Sequence, residues 1–198
     1  MSSMRIFSVI FSAVFMTLTV FAADEAAKTR TVEFDLAKSL AANKKCIIPN
    51  QPAKGQAVEV STVENQQVLR VEFNCEETPW CQIFCYGKNF VIPGTFTKAV
   101  VKVAVYTDAE SNLNNVRLLL IDKDRESFQT NGNFNVKKTG WQEVRFEIDT
   151  TRKLSCWGGK PANKQIDFPA SLRGFTFSYK SKNGIGEAKI GKVTFEVQ

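Results

Sequence analysis

Alternation with a period of two runs through most of the chain. In residues 68–75, Leu69, Val71, Phe73 and Cys75 fall on one side and Arg70, Glu72 and Asn74 on the other. That is the pattern of a strand with one face in a core and one in water. Residues 99–107 repeat it, with Ala99, Val101, Val103 and Val105 inward and Lys102, Ala104 and Tyr106 opposite. Residues 142–148 set Val144, Phe146 and Ile148 against Glu143, Arg145 and Glu147, and Phe175, Phe177 and Tyr179 alternate with Thr176, Ser178 and Lys180. Val193, Phe195 and Val197 close the chain in the same rhythm. Residues 116–121 are apolar at nearly every position, which predicts a central strand covered on both sides. Further strands are expected at 31–36, 46–49, 58–63, 81–86 and 127–136, and one short helix at 36–43. Turn residues separate these runs, among them Asn50-Gln51-Pro52, Asn131-Gly132, Gly158-Gly159 and Asn183-Gly184. About ten strands with short turns and no strand–helix alternation predict an all-β antiparallel β-sandwich, most simply a jelly roll. A single domain over residues 31–198 is expected.

The first residues carry a different signal. A weakly positive start through Arg5 leads into an apolar run over 6–21, then Val20-Phe21-Ala22, and Asp24-Glu25 turns the chain polar. This predicts a signal peptide at 1–22 and a short polar lead-in at 23–30. An uncleaved anchor is the competing reading, since the run approaches the roughly 20 residues of a membrane span. Ser8, Ser12, Thr17 and Thr19 within the run, and the small residues at its end, favour cleavage. The expectation is a secreted or periplasmic protein with no membrane association after cleavage.

Composition narrows the chemistry mainly by exclusion. Among 198 residues there is no histidine, which removes histidine-based nucleophile pairs, histidine zinc ligands and histidine general bases. Gly184-Ile185-Gly186 is a turn fragment, not a phosphate-binding loop. Loss of 1–22 takes away Arg5 alone, so the 26 Lys and Arg become 25 against 20 acids, a net charge of 25 − 20 = +5. These charges are scattered, with no basic run beyond Lys44-Lys45 or Lys137-Lys138. They read as a solvated surface, and no nucleic-acid partner is expected.

Cys46, Cys75, Cys81, Cys85 and Cys156 all follow the signal, and in an oxidising compartment disulfides are the default. Cys81 and Cys85 share parity on one strand, about 13 Å apart, too far to bridge. Cys75 and Cys81 flank the turn 76–80 and could meet; Cys46 and Cys156 are the other disulfide candidates. Five is odd, so at least one thiol stays free. The Cys spacing lacks a zinc knuckle, so no metal is expected.

Three pieces of the C-terminal half resemble the galactose-binding-like jelly-roll superfamily, which includes many carbohydrate-binding modules. They are Leu118-Leu119-Leu120-Ile121-Asp122-Lys123-Asp124 followed by Phe128, then Thr139-Gly140-Trp141-Gln142-Glu143-Val144-Arg145-Phe146, and then Trp157-Gly158-Gly159, Ile166-Asp167-Phe168-Pro169, Gly174-Phe175 and the closing Val193-Thr194-Phe195. The order is similar to accessory domains appended to secreted glycoside hydrolases. The resemblance implies a sugar-binding or scaffold role, with a polysaccharide or glycan as partner. It also raises a structural calcium. Gly191-Lys192 stands where relatives often carry an acid before the last strand, so no cofactor is expected. Asp122-Lys123-Asp124-Arg125-Glu126 lacks the glycine and the distal carboxylate of a calcium loop and reads as an acidic hairpin turn.

Neutral sugars are held by flat aromatic faces and a few fixed donors and acceptors. Trp157, between Cys156 and two glycines, is the leading candidate on a loop. Trp80, after Pro79, is the second, followed by Tyr86, which shares parity with Gln82 and Phe84, and by Arg117. The plainer reading has each aromatic packed in the core, with Trp157 plugging one end of the sandwich and Arg117 in an ion pair. Trp141 and Tyr179 are expected to be structural. The sequence therefore predicts an exported, non-catalytic carbohydrate-binding protein with loop aromatics. The alternatives are a structural envelope component or one binding another secreted protein, and a small glycosidase using two of Asp122, Asp124, Glu126, Asp149 and Asp167, whose carboxylates would need to lie about 5 to 9.5 Å apart.

Overall fold

The structure, a computed structural model, describes residues 29–50, 56–76, 78–159, 163–180 and 184–198. The expected signal peptide, the lead-in as far as residue 28, and Gln51, Pro52 and Asn183 of two expected turns lie outside the described residues. In chain order the elements are β1 (Arg30–Phe34), α1 (Leu36–Ala42), β2 (Ile47–Asn50), β3 (Ala57–Val63), β4 (Gln66–Asn74), β5 (Trp80–Cys85), β6 (Val91–Ile92), β7 (Lys98–Thr107), β8 (Leu113–Ile121), β9 (Glu126–Asn131), β10 (Gly140–Asp149), β11 (Ser155–Gly158), β12 (Ala170–Tyr179) and β13 (Ile185–Val197).

These strands form two antiparallel sheets. The back sheet runs β10-β7-β13-β4-β3, with β1 paired to β13; the front sheet runs β11-β9-β8-β12-β5-β2, with β6 paired to β12. Packed face to face, they make the jelly-roll sandwich that the alternation predicts. Each strand turns its apolar parity inward: Leu69, Val71 and Phe73 on β4, Val101, Val103 and Val105 on β7, and Phe175 and Phe177 on β12 are all fully buried. Removing such side chains from water is the main favourable contribution to the fold, at about 1.5–3 kcal/mol each. Edge-to-face aromatics bind the layers together, with Phe73 of the back sheet 4.4 Å from Tyr179 of the front. Helix α1 starts where Asp35 accepts the Lys38 N–H at 2.9 Å, and buries Leu36, Ala37 and Leu40.

The outward face of the back sheet is a lattice of ion pairs. Arg70 is held by Glu59 (2.7 Å), Glu72 and Glu187, and Lys189 by Glu187 (2.6 Å) and Asp108 (3.2 Å). Lys102 pairs with Glu196, Lys192 with Glu33 and Arg145 with Glu143. Opposite charges on neighbouring strands meet because like parity puts them on one face.

Two expectations need correction. The disulfide framework is not formed; all five cysteines stand as free thiols. Cys46, Cys75, Cys81 and Cys85 are buried and act as small apolar fillers of the core. Burial pushes the thiols of Cys81 and Cys85 far above the usual range. Cys156 is half-buried on β11, beside Glu126, and is raised by burial and by that carboxylate. The second correction concerns β8, which is not sandwiched between layers: its alternate residues Arg117 and Ile121 are half-exposed on the front face. Leu119 shares that parity, yet it is fully buried and lies apart from the sandwich core.

Candidate functional site

The outward face of the front sheet carries Trp80, Phe84, Tyr86 and Trp157, while Tyr106 and Trp141 lie on the outward face of the back sheet. On β5, Cys81, Ile83 and Cys85 point inward, so Trp80, Gln82 and Phe84 point out, with Tyr86 following in the same phase. Strand pairing then fixes what stands beside what. Trp80 lies opposite Ser178 of β12, which lies opposite Asn115 of β8. Gln82 is opposite Thr176, and Thr176 opposite Arg117. At the other end of the face, Ile121 of β8 is opposite Ser127 of β9, which is opposite Trp157 of β11. Of the seven exposed large hydrophobics among the described residues, five (Ile48, Trp80, Tyr86, Val91 and Trp157) stand on this face. Scattered exposed apolar residues are ordinary; here five of the seven fall on one face, at its two ends and along its edge.

A polar row crosses the middle. Asn50 Nδ2 donates to Gln82 Oε1 at 2.9 Å, and Gln82 Nε2 to Thr176 Oγ1 at 3.0 Å. On the far side of Thr176, Arg117 Nε donates to Asn131 Oδ1 at 3.0 Å. The row spans β2, β5, β12, β8 and β9, and presents amide, hydroxyl and guanidinium groups already oriented by one another. From β5 to β11 is four strand spacings, about 19 Å, and from Asn115 to Ile121 along β8 is about 20 Å. Trp80 and Trp157 therefore stand about 28 Å apart on the diagonal, with the polar row between them.

Arg173 enters the face through an irregularity in β12. Leu172 pairs with Leu120 and Gly174 with Leu119, so Arg173 is the extra residue of a β-bulge. Gly174 has φ = +139°, and a Cβ there would lie 1.9 Å from the Ile83 carbonyl oxygen; only glycine lets β12 pass β5 this closely. The bulge aims the Arg173 guanidinium over the rings of Phe84 (4.1 Å) and Tyr86 (4.6 Å). Arg173 Nε is buried without a hydrogen-bond partner among the described residues.

All four sequence candidates, Trp157, Trp80, Tyr86 and Arg117, share this face. The expectation that loops carry the aromatics is corrected: Trp80 opens β5 and Trp157 lies within β11, because Cys156 fits the inward phase and turns its neighbour out. Neither tryptophan plugs the sandwich; they are 37% and 41% exposed. Gln82, Phe84 and Arg173 share this candidate face and were not singled out by the sequence reading. Glycine inside a strand pattern marks a bulge, and Arg173-Gly174 carries that signal.

The acidic corner is structural. Asp122 Oδ1 accepts the N–H of Glu126 at 2.8 Å and of Asp124 at 3.0 Å, and its Oδ2 accepts that of Asp167 at 3.3 Å. Glu126, 1% exposed, accepts the backbone N–H groups of Asn163 and Lys164, each at 3.1 Å. Asp167 accepts Asn163 Nδ2 at 2.6 Å, and Asp149 accepts the Thr151 hydroxyl and N–H. These carboxylates are spent on closing loops. Among the described residues no group of three or more metal-ligating side chains converges.

A hollow of about 530 Å³ lies over the back sheet, lined by Trp141, Lys102, Lys192 and Glu196. Trp141 packs edge-on to Tyr106 and over Gly191, as expected of a structural residue. The cations around the hollow already have carboxylate partners, so it offers a ligand little unsatisfied charge.

No family model matches the sequence, and no curated protein matches it either. Among solved structures, the chain is similar over 78% of its length to part of an exo-β-agarase, with 9% identity and a TM-score of 0.55. It is also similar over 77% to part of PfGH50B, with 12% identity and a TM-score of 0.52. It spans 23% and 22% of those two chains, less than a quarter of each. A family 11 carbohydrate-binding module from Clostridium thermocellum aligns with 75% of this chain and 86% of its own, at 9% identity and a TM-score of 0.49. The likeness is one of fold.

Proposed function

We propose that this chain is an exported, non-catalytic carbohydrate-binding protein that holds a polysaccharide along the front face of the sandwich. The observation that carries the reading is the grouping of Trp80, Tyr86 and Trp157, all exposed, around a hydrogen-bonded polar row on one sheet. Sugar rings present apolar C–H faces and equatorial hydroxyls, so indole and phenol faces flanking amides and a guanidinium suit them. A face about 28 Å long between its tryptophans fits a chain of several rings better than a single monosaccharide. The fold likeness is compatible with this; the face itself supports it.

Affinity electrophoresis in gels containing a panel of polysaccharides tests the reading. Retardation in at least one gel is expected, with loss on Trp157→Ala and on Trp80→Ala while the folded state is kept. If no polysaccharide retards the protein, the sugar reading is overturned. The apolar Ile48, Val91 and tryptophans of this face would then suit a protein partner instead.

A further inference from the structure

We infer that the polymer held on the front face is anionic: a glycan bearing carboxylate or sulfate groups. This rests on the carbohydrate reading above and narrows it to a substrate class.

The two faces of the molecule treat charge differently. On the back sheet, Arg70, Lys102, Arg145, Lys189 and Lys192 each have a carboxylate partner. On the front sheet no outward strand position among the described residues is Asp or Glu, yet two are arginine, Arg117 and Arg173. Neither makes an ion pair with any described residue. Arg117 spends its Nε on the neutral amide oxygen of Asn131, and Arg173 has only the faces of Phe84 and Tyr86 beneath it.

Half-burying a guanidinium with no counter-charge is unfavourable unless something else satisfies it. Two cation–π contacts offset part of that cost. They also hold the guanidinium beside the two rings. The planar fork of arginine matches carboxylate or sulfate in a two-pronged hydrogen bond, which neutral hydroxyls do not reproduce. Arg117 and Arg173 lie on adjacent strands, offset by about three residues, which puts their Cα atoms about 10 Å apart. Two anionic groups on one polymer could meet both. Single-stranded nucleic acid would bring aromatic bases and a charge at every unit, and its binders track the backbone with a strongly basic groove. Two cations among neutral amides make too sparse a track for that.

The test compares gels and titrations containing polygalacturonate, a sulfated galactan, neutral agarose, neutral mixed-linkage β-glucan and single-stranded DNA. The expected result is retention by one of the two anionic glycans alone, weakened by salt. Arg117→Gln and Arg173→Gln should each weaken it about tenfold. Because the whole chain is basic, Lys137→Gln, in an exposed turn, removes the same single charge and serves as the control; it should leave affinity within about twofold. Retention by a neutral glycan, unaffected by both arginine variants, overturns the anionic proposal and leaves the carbohydrate reading standing. Retention by nothing overturns both. Anionic retention that falls equally in the lysine control is general surface attraction and overturns the proposal, as does preference for DNA.

Discussion

Replacing Gly174 with alanine strikes the point where the fold and the candidate site depend on the same backbone. The residue sits at φ = +139°, and the new Cβ would lie 1.9 Å from the carbonyl oxygen of Ile83 on the neighbouring strand. Relieving that contact to even 3.0 Å requires β12 and β5 to part by 3.0 − 1.9 = 1.1 Å. Strain at a glycine-only conformation costs about 1–3 kcal/mol. Weakening one or two ladder hydrogen bonds between the central strands adds about 1 kcal/mol each. The sum is about 4 kcal/mol, in the range reserved for a few severe mechanisms. With a urea dependence of about 2 kcal/mol per molar, the unfolding midpoint should fall by about 2 M. Tryptophan fluorescence during urea titration reports it, since Trp80 opens the strand being displaced. Gly87→Ala is the matched control: its φ is +111°, but nothing lies within 4 Å of its missing Cβ, so it incurs strain alone. If Gly174→Ala is no worse than Gly87→Ala, the seam between β5 and β12 is not tight. The account of how Arg173 is aimed would then fail with it.

Three further outcomes follow from other parts of the structure. The Tyr179 hydroxyl is buried without a hydrogen-bond partner among the described residues, so Tyr179→Phe should leave stability unchanged or raise it by about 1 kcal/mol; a clear loss in thermal unfolding would mean the hydroxyl is satisfied. At Glu187, burial raises the carboxyl pKa, but hydrogen bonds from Lys189 and Arg70 outweigh it and hold the group below its ordinary 4.5. A carboxyl depressed in the folded state contributes stability above about pH 4.5 and loses it as pH falls through the folded value. Glu187→Gln should therefore lower stability at pH 7 and flatten its decline below pH 4.5; parallel acid profiles for the two proteins would contradict this. Among the five thiols, Cys156 should be alkylated first in the native protein at pH 8. Cys81 and Cys85, which burial keeps protonated, should react only on unfolding, as mass mapping of the labelled sites would check.

Parity made much of the sandwich legible. The inward sets on β4, β7 and β10, and the Phe175-Phe177-Tyr179 set on β12, are buried as their alternation implies, because each strand has one dry face. Parity also put Tyr86 in phase with Gln82 and Phe84, as observed on the front sheet. Where the alternation is short or broken, the reading lost its grip. Strand β6 has only two residues and β11 only four, too few to show a period. Strand β13 begins at Ile185, before the stretch whose alternation is plain, because Gly191 interrupts it with a register shift between Ile190 and Val193. Arg173 was hidden for the same reason: a bulge resets the phase, and parity cannot say which way an extra residue points. The thiols are the opposite case, since cysteine count and compartment argue for bridges while burial alone accounts for four of the five.

The pairing of the first and last strands has a practical consequence. Arg30 lies opposite Val197, so the two ends of the described strand system emerge side by side, both from the back sheet. A tether, tag or solid support joined at Gln198 or directly before Arg30 therefore starts from the layer that does not carry Trp80 and Trp157. A capture surface joined there grips the protein through the sheet opposite the one a glycan would be offered.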